Sequence, residues 1–314
     1  MRSLSIVRSA AALAAVLALA ACGGGGGGDP LANGGSSGQT SGAAAAGDTI
    51  VVGSANFAES QILAEIYAQA LSAKGVTVEK RLNIGSREAY IPGLQDGSID
   101  LIPEYTGVLL QYFNSGADQT TSDDVYAALK DTLPGNLEVL DKSAAEDKDA
   151  VVVTRATASQ YNLKTLADLT PQCGNLVFGG APEFQTRPDG IPGIQKTYNC
   201  TFKEYRSLDA GGPLTVAALK NGDVQAANLF TTQSAIQAND FVALEDPKNN
   251  FAAQNVVPLI NKQKANDTVR STLNAISAKL TTESLLALNV EADSDAKPSP
   301  ETVAKNWLSQ NGLA

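Results

Sequence analysis

Leu94-Gln95-Asp96-Gly97-Ser98-Ile99-Asp100-Leu101-Ile102-Pro103-Glu104-Tyr105-Thr106-Gly107 reads as a helix end, a glycine stop, a short apolar strand, and a strand end bearing an aromatic ring and a hydroxyl. The layout returns in Leu219-Lys220-Asn221-Gly222-Asp223-Val224-Gln225-Ala226-Ala227-Asn228-Leu229-Phe230-Thr231. The offset is constant at 125 residues: 219 against 94, 222 against 97, 230 against 105. A glycine between helix and strand is ordinary chemistry, so the weight rests on the aligned aromatic-Thr pairs. Two copies of such a unit imply two similar α/β lobes. In open sheets of this kind ligands bind beyond the carboxyl ends of the strands, where Tyr105 and Phe230 would stand.

The residues around this unit extend the pattern. Thr49 to Gly53 is a β-branched run, followed by the turn Ser54-Ala55-Asn56-Phe57 and a helical apolar spacing from Ile62 to Leu71. Asn56 and Glu59 have the spacing of a capping box. Val76 to Leu82 is the next strand, and Ser86 is placed to cap the helix that carries Tyr90. Ala150 to Thr154 and Asn255 to Ile260 read as strands that cross into a second lobe and back. Between them, Phe184-Gln185-Thr186-Arg187-Pro188-Asp189-Gly190 is a Pro/Gly-marked loop. The tail from Asp267 reads as helices, with Trp307 packing on the first lobe.

The first residues have another character. Arg2 and Arg8 precede an apolar run that ends at Leu19-Ala20-Ala21-Cys22. That run is too short to span a bilayer and reads as a signal peptide over 1–21. Small residues before a cysteine resemble the bacterial lipobox, which makes Cys22 the lipidated residue; an ordinary signal peptide with an incidental cysteine is the alternative. Residues 22–47 are Gly/Ser/Ala-rich and cannot bury a core. Such coil has a reach of roughly 25–30 Å. The expected divisions are then 48–149 for the first part of lobe 1, 150–254 for lobe 2, and 255–314 for the return to lobe 1.

Composition narrows the chemistry. The formal charge is −10, which argues against nucleic-acid binding. There is no histidine, so no histidine-based triad or metal site is available. Cys173 and Cys200 remain as a pair in an exported chain, which points to a disulfide, with two buried thiols as the alternative. No catalytic residues, metal or cofactor are expected, and the chain does not read as an enzyme.

Val52 to Phe57, Gly85-Ser86-Arg87-Glu88, Ile99 to Gly107 and Arg187 to Gly193 together resemble the glycine betaine/choline/carnitine (quaternary-amine) substrate-binding proteins of osmoprotectant ABC transporters, over essentially the whole body from about Thr49 to Leu308. The resemblance implies a two-lobed periplasmic binding protein (type II-like) with two interlobe crossovers and a ligand cleft. It implies a monomer that hands a quaternary amine to an ABC permease with its ATPase, anchored by lipid at the outer face of the cytoplasmic membrane. A binding protein or sensor for a different small solute is the alternative. In the family an aromatic cage holds the ammonium group.

Carried onto this chain, the ligand set is Asn56, Phe57, Tyr90, Tyr105, Thr106, Arg187, Phe230 and Thr231. Three readings stay open at this point: Asn56 as a helix cap, Arg187 as an interlobe salt-bridge partner, and Phe230 as core. The chain departs from the family pattern at Ala55, where many betaine-binding members have lysine. It also departs at Pro213, in a segment that is aromatic in some relatives, and after Phe230, where Thr231-Thr232-Gln233 lacks a common aspartate.

Overall fold

The computed structural model describes residues 49–314. The expected signal peptide, Cys22 and the linker lie outside the described residues. Among the described residues no helix is long and apolar enough to cross a membrane.

Among the described residues, ten strands form two five-stranded sheets. They are β1 (Ile50–Gly53), β2 (Val78–Arg81), β3 (Leu101–Tyr105), β4 (Leu137–Val139), β5 (Asp149–Thr154), β6 (Val177–Gly180), β7 (Glu204–Ser207), β8 (Ala226–Phe230), β9 (Phe241–Ala243) and β10 (Val256–Asn261). The first sheet has the order β2-β1-β3-β10-β4, and the second β7-β6-β8-β5-β9. The two orders are the same topology. In each sheet three parallel strands meet one long strand that runs antiparallel to its neighbours, β10 in the first and β5 in the second. Those two strands are the ones that carry the chain between lobes.

The internal repeat has a structural counterpart. Leu101 pairs with Val52 of β1, and Ala226, its equivalent at the 125-residue offset, pairs with Phe178 of β6. Gly97 and Gly222 both end a helix in the left-handed region, with φ of 81° and 78°, a conformation that glycine adopts without steric cost. Strand and helix are thus joined by the same reversal in both lobes.

Each sheet is covered on both faces, which is why its central strands are apolar throughout rather than alternating. On the first sheet, the helix Ala58–Ala73 and the C-terminal helices bury Ile62, Ile66, Val269 and Trp307 with Val52 and Leu101. The opposite face packs Ile91, Leu94, Leu109 and Leu129 on Ile102 and Val257. In β5, Val151 and Val153 face one core and Ala150 and Val152 the other, as the two-residue period of a strand requires. A disulfide joins Cys173 to Cys200, with Cα atoms 5.5 Å apart. It ties the turn at Thr170–Asn175 to the end of the helix Ile191–Tyr198 within the second lobe.

The helix starts differ in detail from the capping pattern expected of them. The helix Ala58–Ala73 is capped at Phe57, with no side-chain capping bond, and Asn56 is exposed. The turn is held instead by Ser60, whose Oγ accepts from the Ala55 N–H at 2.9 Å, and by Ser54, whose Oγ accepts from the Asn83 N–H at 2.8 Å. Glu59 is drawn inward by longer-range donors, which outcompete a local reach-back. Ser86 stands at the N-cap position but donates to Glu88 Oε2 at 2.6 Å rather than accepting from the helix.

Candidate functional site

The topology brings two kinds of strand end to one place. The carboxyl ends of β1, β3, β6 and β8 lead into Ala55 to Phe57, Tyr105, Ala181 and Phe230. The amino ends of the crossing strands arrive at the same edge, because Asp149 pairs with Phe230 and Val256 with Tyr105. An interlobe cavity results. It is lined by rings from both lobes, Phe57, Tyr90, Tyr105, Phe184 and Phe230, and by Asp147, Asp149, Arg87 and Arg187.

Phe57 is the centre of the ring set. Its centroid lies 5.4 Å from Phe230 and 6.0 Å from Tyr105, within the range of favourable aromatic pairs. The two tyrosines are turned by buried carboxylates. Tyr90 Oη donates to Glu104 Oε1 at 2.6 Å, and Tyr105 Oη donates to Glu59 Oε1 at 2.7 Å. Burial holds both phenols well above the usual tyrosine range; at Tyr90 Arg87 opposes it and Glu104 adds to it, and at Tyr105 Glu59 adds to it. Their hydroxyls are engaged, so it is the rings that they offer to the cavity.

Glu104 is held by Arg87, whose Nε and Nη2 donate to its two oxygens at 2.7 Å each. Both side chains are buried. Burial opposes the Arg87 charge, but Glu104 more than restores it. Glu59 is held from three directions. Besides Tyr105, it accepts from Thr232 Oγ1 and from Asn289 Nδ2, each at 2.6 Å. Thr232 belongs to the second lobe, so this carboxylate joins the lobes.

Arg187 joins them a second time, donating to Glu88 from Nε and Nη2 at 3.2 Å. Burial works against ionisation of Glu88, but the bonds from Arg187 and Ser86 outweigh it and pull the carboxyl down to about 2. Arg187 therefore lines the cavity and is also an interlobe ion pair.

Asp147 and Asp149 lie at the start of the first crossing strand, Asp149 as its first residue. Asp147 accepts from the Thr232 N–H at 2.9 Å and Thr231 Oγ1 at 3.2 Å. Burial, with Glu59 beside it, raises its carboxyl well above the usual range. Asp149 accepts from Asn228 Nδ2 at 2.8 Å and Gln254 Nε2 at 3.2 Å. Behind them, burial and Asp149 push buried Asp189 up to about 7.

Six of the residues singled out in the sequence border this cavity: Asn56, Phe57, Tyr90, Tyr105, Arg187 and Phe230. Thr106 and Thr231 do not line it. The Thr106 N–H donates to Asn255 O at 3.0 Å, and its hydroxyl donates to Ala253 O and accepts from the Asn255 N–H at 3.1 Å each. Thr231 does the equivalent on the other crossing segment, its N–H donating to Lys148 O at 2.9 Å and its hydroxyl accepting from the Lys148 N–H at 2.9 Å. The repeated threonine fastens each strand end to a crossover. That fastening is why it recurs without facing the cavity.

Asp147, Asp149, Arg87, Phe184, Asn228 and Gln254 are cavity residues that the sequence reading misses. The polar run before β5, Glu146-Asp147-Lys148-Asp149, is the available signal: buried crossing strands place the residues at their ends in the cleft.

Over residues 48–310 the chain matches the family OpuAC, the substrate binding domain of ABC-type glycine betaine transport system. It is 27% identical over 271 residues to the carnitine transport binding protein OpuCC of Listeria monocytogenes, covering 84% of this chain and 87% of that one. It is 26% identical over 282 residues to a glycine-betaine-binding protein of Pseudomonas aeruginosa, covering 85% and 89%. An ergothioneine transport permease/ergothioneine binding protein of Helicobacter pylori, EgtU, is 25% identical over 269 residues, which is 84% of this chain; the match spans 48%, about half, of that protein. Among solved structures, a glycine betaine/carnitine/choline ABC transporter structure superposes with a TM-score of 0.67 at 22% identity, over 84% of this chain and 99% of that one. Lactococcal OpuAC, closed around glycine betaine, superposes with a TM-score of 0.60 at 17% identity, over 84% and 96%. At these identities the superpositions speak to the fold, a two-lobed binding-protein architecture.

Proposed function

The chain belongs to the family of substrate-binding domains of ABC-type glycine betaine transport systems, and from this we propose that it binds a quaternary-amine solute between its lobes and delivers it to a membrane permease. The observation that carries this reading is the ring set. Phe57, Tyr90, Tyr105, Phe184 and Phe230 converge from both lobes on one cavity. A quaternary ammonium has a fixed charge and no N–H to donate, so ring faces suit it better than a polar pocket does. Each well-placed ring contributes about 0.5–2 kcal/mol, and each buried methyl group about 0.8 kcal/mol.

The mechanism is binding and closure, with no covalent step. The solute enters between the lobes and draws their ring-bearing edges together, and the closed form docks on the permease, whose ATPase drives release and uptake. A monomer exported and held by lipid on Cys22 at the outer face of the cytoplasmic membrane completes the reading. Asn56, Phe57, Tyr90, Tyr105, Arg187 and Phe230 are the proposed contacts; Thr106 and Thr231 act through the crossovers.

A thermal-shift panel of glycine betaine, choline, carnitine, proline betaine and unrelated solutes tests it. A ligand at about a hundred times its dissociation constant adds about 2.7 kcal/mol of stability. A rise in melting temperature with at least one quaternary amine, and none with unrelated solutes, is the expected result. No rise with any of them would overturn the reading.

A further inference from the structure

Charge on the cavity wall is unevenly matched. Both arginines that line it are already paired: Arg87 gives its fork to buried Glu104, and Arg187 gives its fork to Glu88. The aspartates are not. Among the described residues no Lys or Arg nitrogen lies within 4.0 Å of a carboxylate oxygen of Asp147 or Asp149. Both side chains are buried, and both are held by neutral donors alone: Thr231 and Thr232 for Asp147, Asn228 and Gln254 for Asp149. Glu59, at the hydroxyl of Tyr105, is likewise served by hydroxyls and an amide.

Neutral donors orient a buried carboxyl group but do not offset the cost of its negative charge, so the ionised form is costly until a cation arrives. A cation in the cavity supplies the missing charge. The location matters as well, because these two aspartates flank the start of β5, where the chain passes between lobes. Asp147 is bonded to the second lobe through Thr231 and Thr232, and Thr232 is bonded in turn to Glu59 of the first. A positive charge set here attracts groups of both lobes at once. A zwitterion brings the same ammonium group with a carboxylate attached. That carboxylate needs a cation of its own, and each arginine of the wall would have to share its charge with an acid that it already serves.

We propose that Asp147 and Asp149 are the counterions of the ligand's ammonium group, and that they select a quaternary amine of net positive charge, without a carboxylate, over a zwitterionic betaine. This rests on the quaternary-amine reading of the cleft.

Isothermal titration of the wild-type chain with choline chloride and with glycine betaine, at one pH and salt concentration, tests it. The two probes share a trimethylammonium head and differ in net charge. Choline is expected to bind at least about tenfold more tightly, the scale of one partly screened charge contact. Asp149→Asn is expected to weaken choline by about tenfold or more while moving glycine betaine by less than about threefold. Glycine betaine binding as tightly as choline to the wild type would overturn the inference while leaving the quaternary-amine reading standing. So would an equal loss of both ligands in Asp149→Asn. If that variant does not fold, Asp147→Asn is read by the same criterion, and the wild-type ranking decides independently of either. Absence of binding by both probes and by every other quaternary amine would overturn the inference and the functional reading together.

Discussion

The hydroxyl of Thr232 donates to Glu59 Oε2 over 2.6 Å, a bond between lobes across 173 residues of chain. Asn289 Nδ2 serves the same oxygen at 2.6 Å, so the carboxylate keeps a donor if the hydroxyl is lost. Thr232→Val is therefore expected to cost about 1.5 kcal/mol, the low end for a hydrogen bond to a charged group. Urea denaturation measures the change. A loss of about 3 kcal/mol would show that Asn289 does not hold Glu59 by itself.

Tyr105 has two separable parts. Tyr105→Phe removes the donor to Glu59 Oε1 and keeps the ring, so stability should fall by about 1–3 kcal/mol with little change in ligand affinity. Tyr105→Ala removes the ring too and should weaken binding of a quaternary amine by about 0.5–2 kcal/mol. Melting curves and calorimetric titration of the two variants separate these effects. Equal affinity in both would remove the ring from the ligand contacts.

Arg87 and Glu104 form a buried bidentate pair that also positions Tyr90. Arg87→Met leaves the carboxylate buried without its cation, and breaking such a pair costs about 3–5 kcal/mol. Chemical denaturation should show a loss of that order. Less than about 1 kcal/mol would mean that water reaches Glu104 when the arginine is gone.

The pH dependence has a definite sign. Asp147 and Asp189 are raised above the ordinary carboxylate range, Asp189 to about 7. The native state therefore holds protons that the unfolded chain has already released. The stability that these groups contribute is fully present below about pH 4 and is lost as pH rises through their raised values. Glu88, pulled down to about 2, acts oppositely and at lower pH: its contribution is present above its unfolded value and is lost as pH falls through about 2. Between about pH 5 and 7 the raised pair should dominate, and Asp189→Asn should flatten the fall in melting temperature. Over the same interval choline affinity should rise, because a cation favours ionised Asp147, which faces Glu59 and Asp149 and lies near Tyr105. Melting temperatures from about pH 5 to 8, with and without choline, check both slopes; affinity that is flat or falls with pH would count against Asp147 as a counterion.

Much of the architecture is legible in the chain itself. The repeat from Leu94 and Leu219, the glycine stops at Gly97 and Gly222, and the crossing runs near Ala150 and Asn255 each depend on periodicity or local backbone preference. Neighbours in sequence suffice to express such preferences. Tyr105 and Phe230 are legible for the same reason: a strand's carboxyl end is a local position. The capping box expected of Asn56 and Glu59 does not form, because Tyr105, Thr232 and Asn289 bring stronger partners to Glu59.

What only the tertiary structure decided is which charges meet. Arg87 finds Glu104, Arg187 finds Glu88, and Asp147 and Asp149 find no cation among the described residues. A sequence states the sign and number of its charges. Their compensation depends on distance and on shelter from water, and both are set only when separate strand ends close on the same cavity.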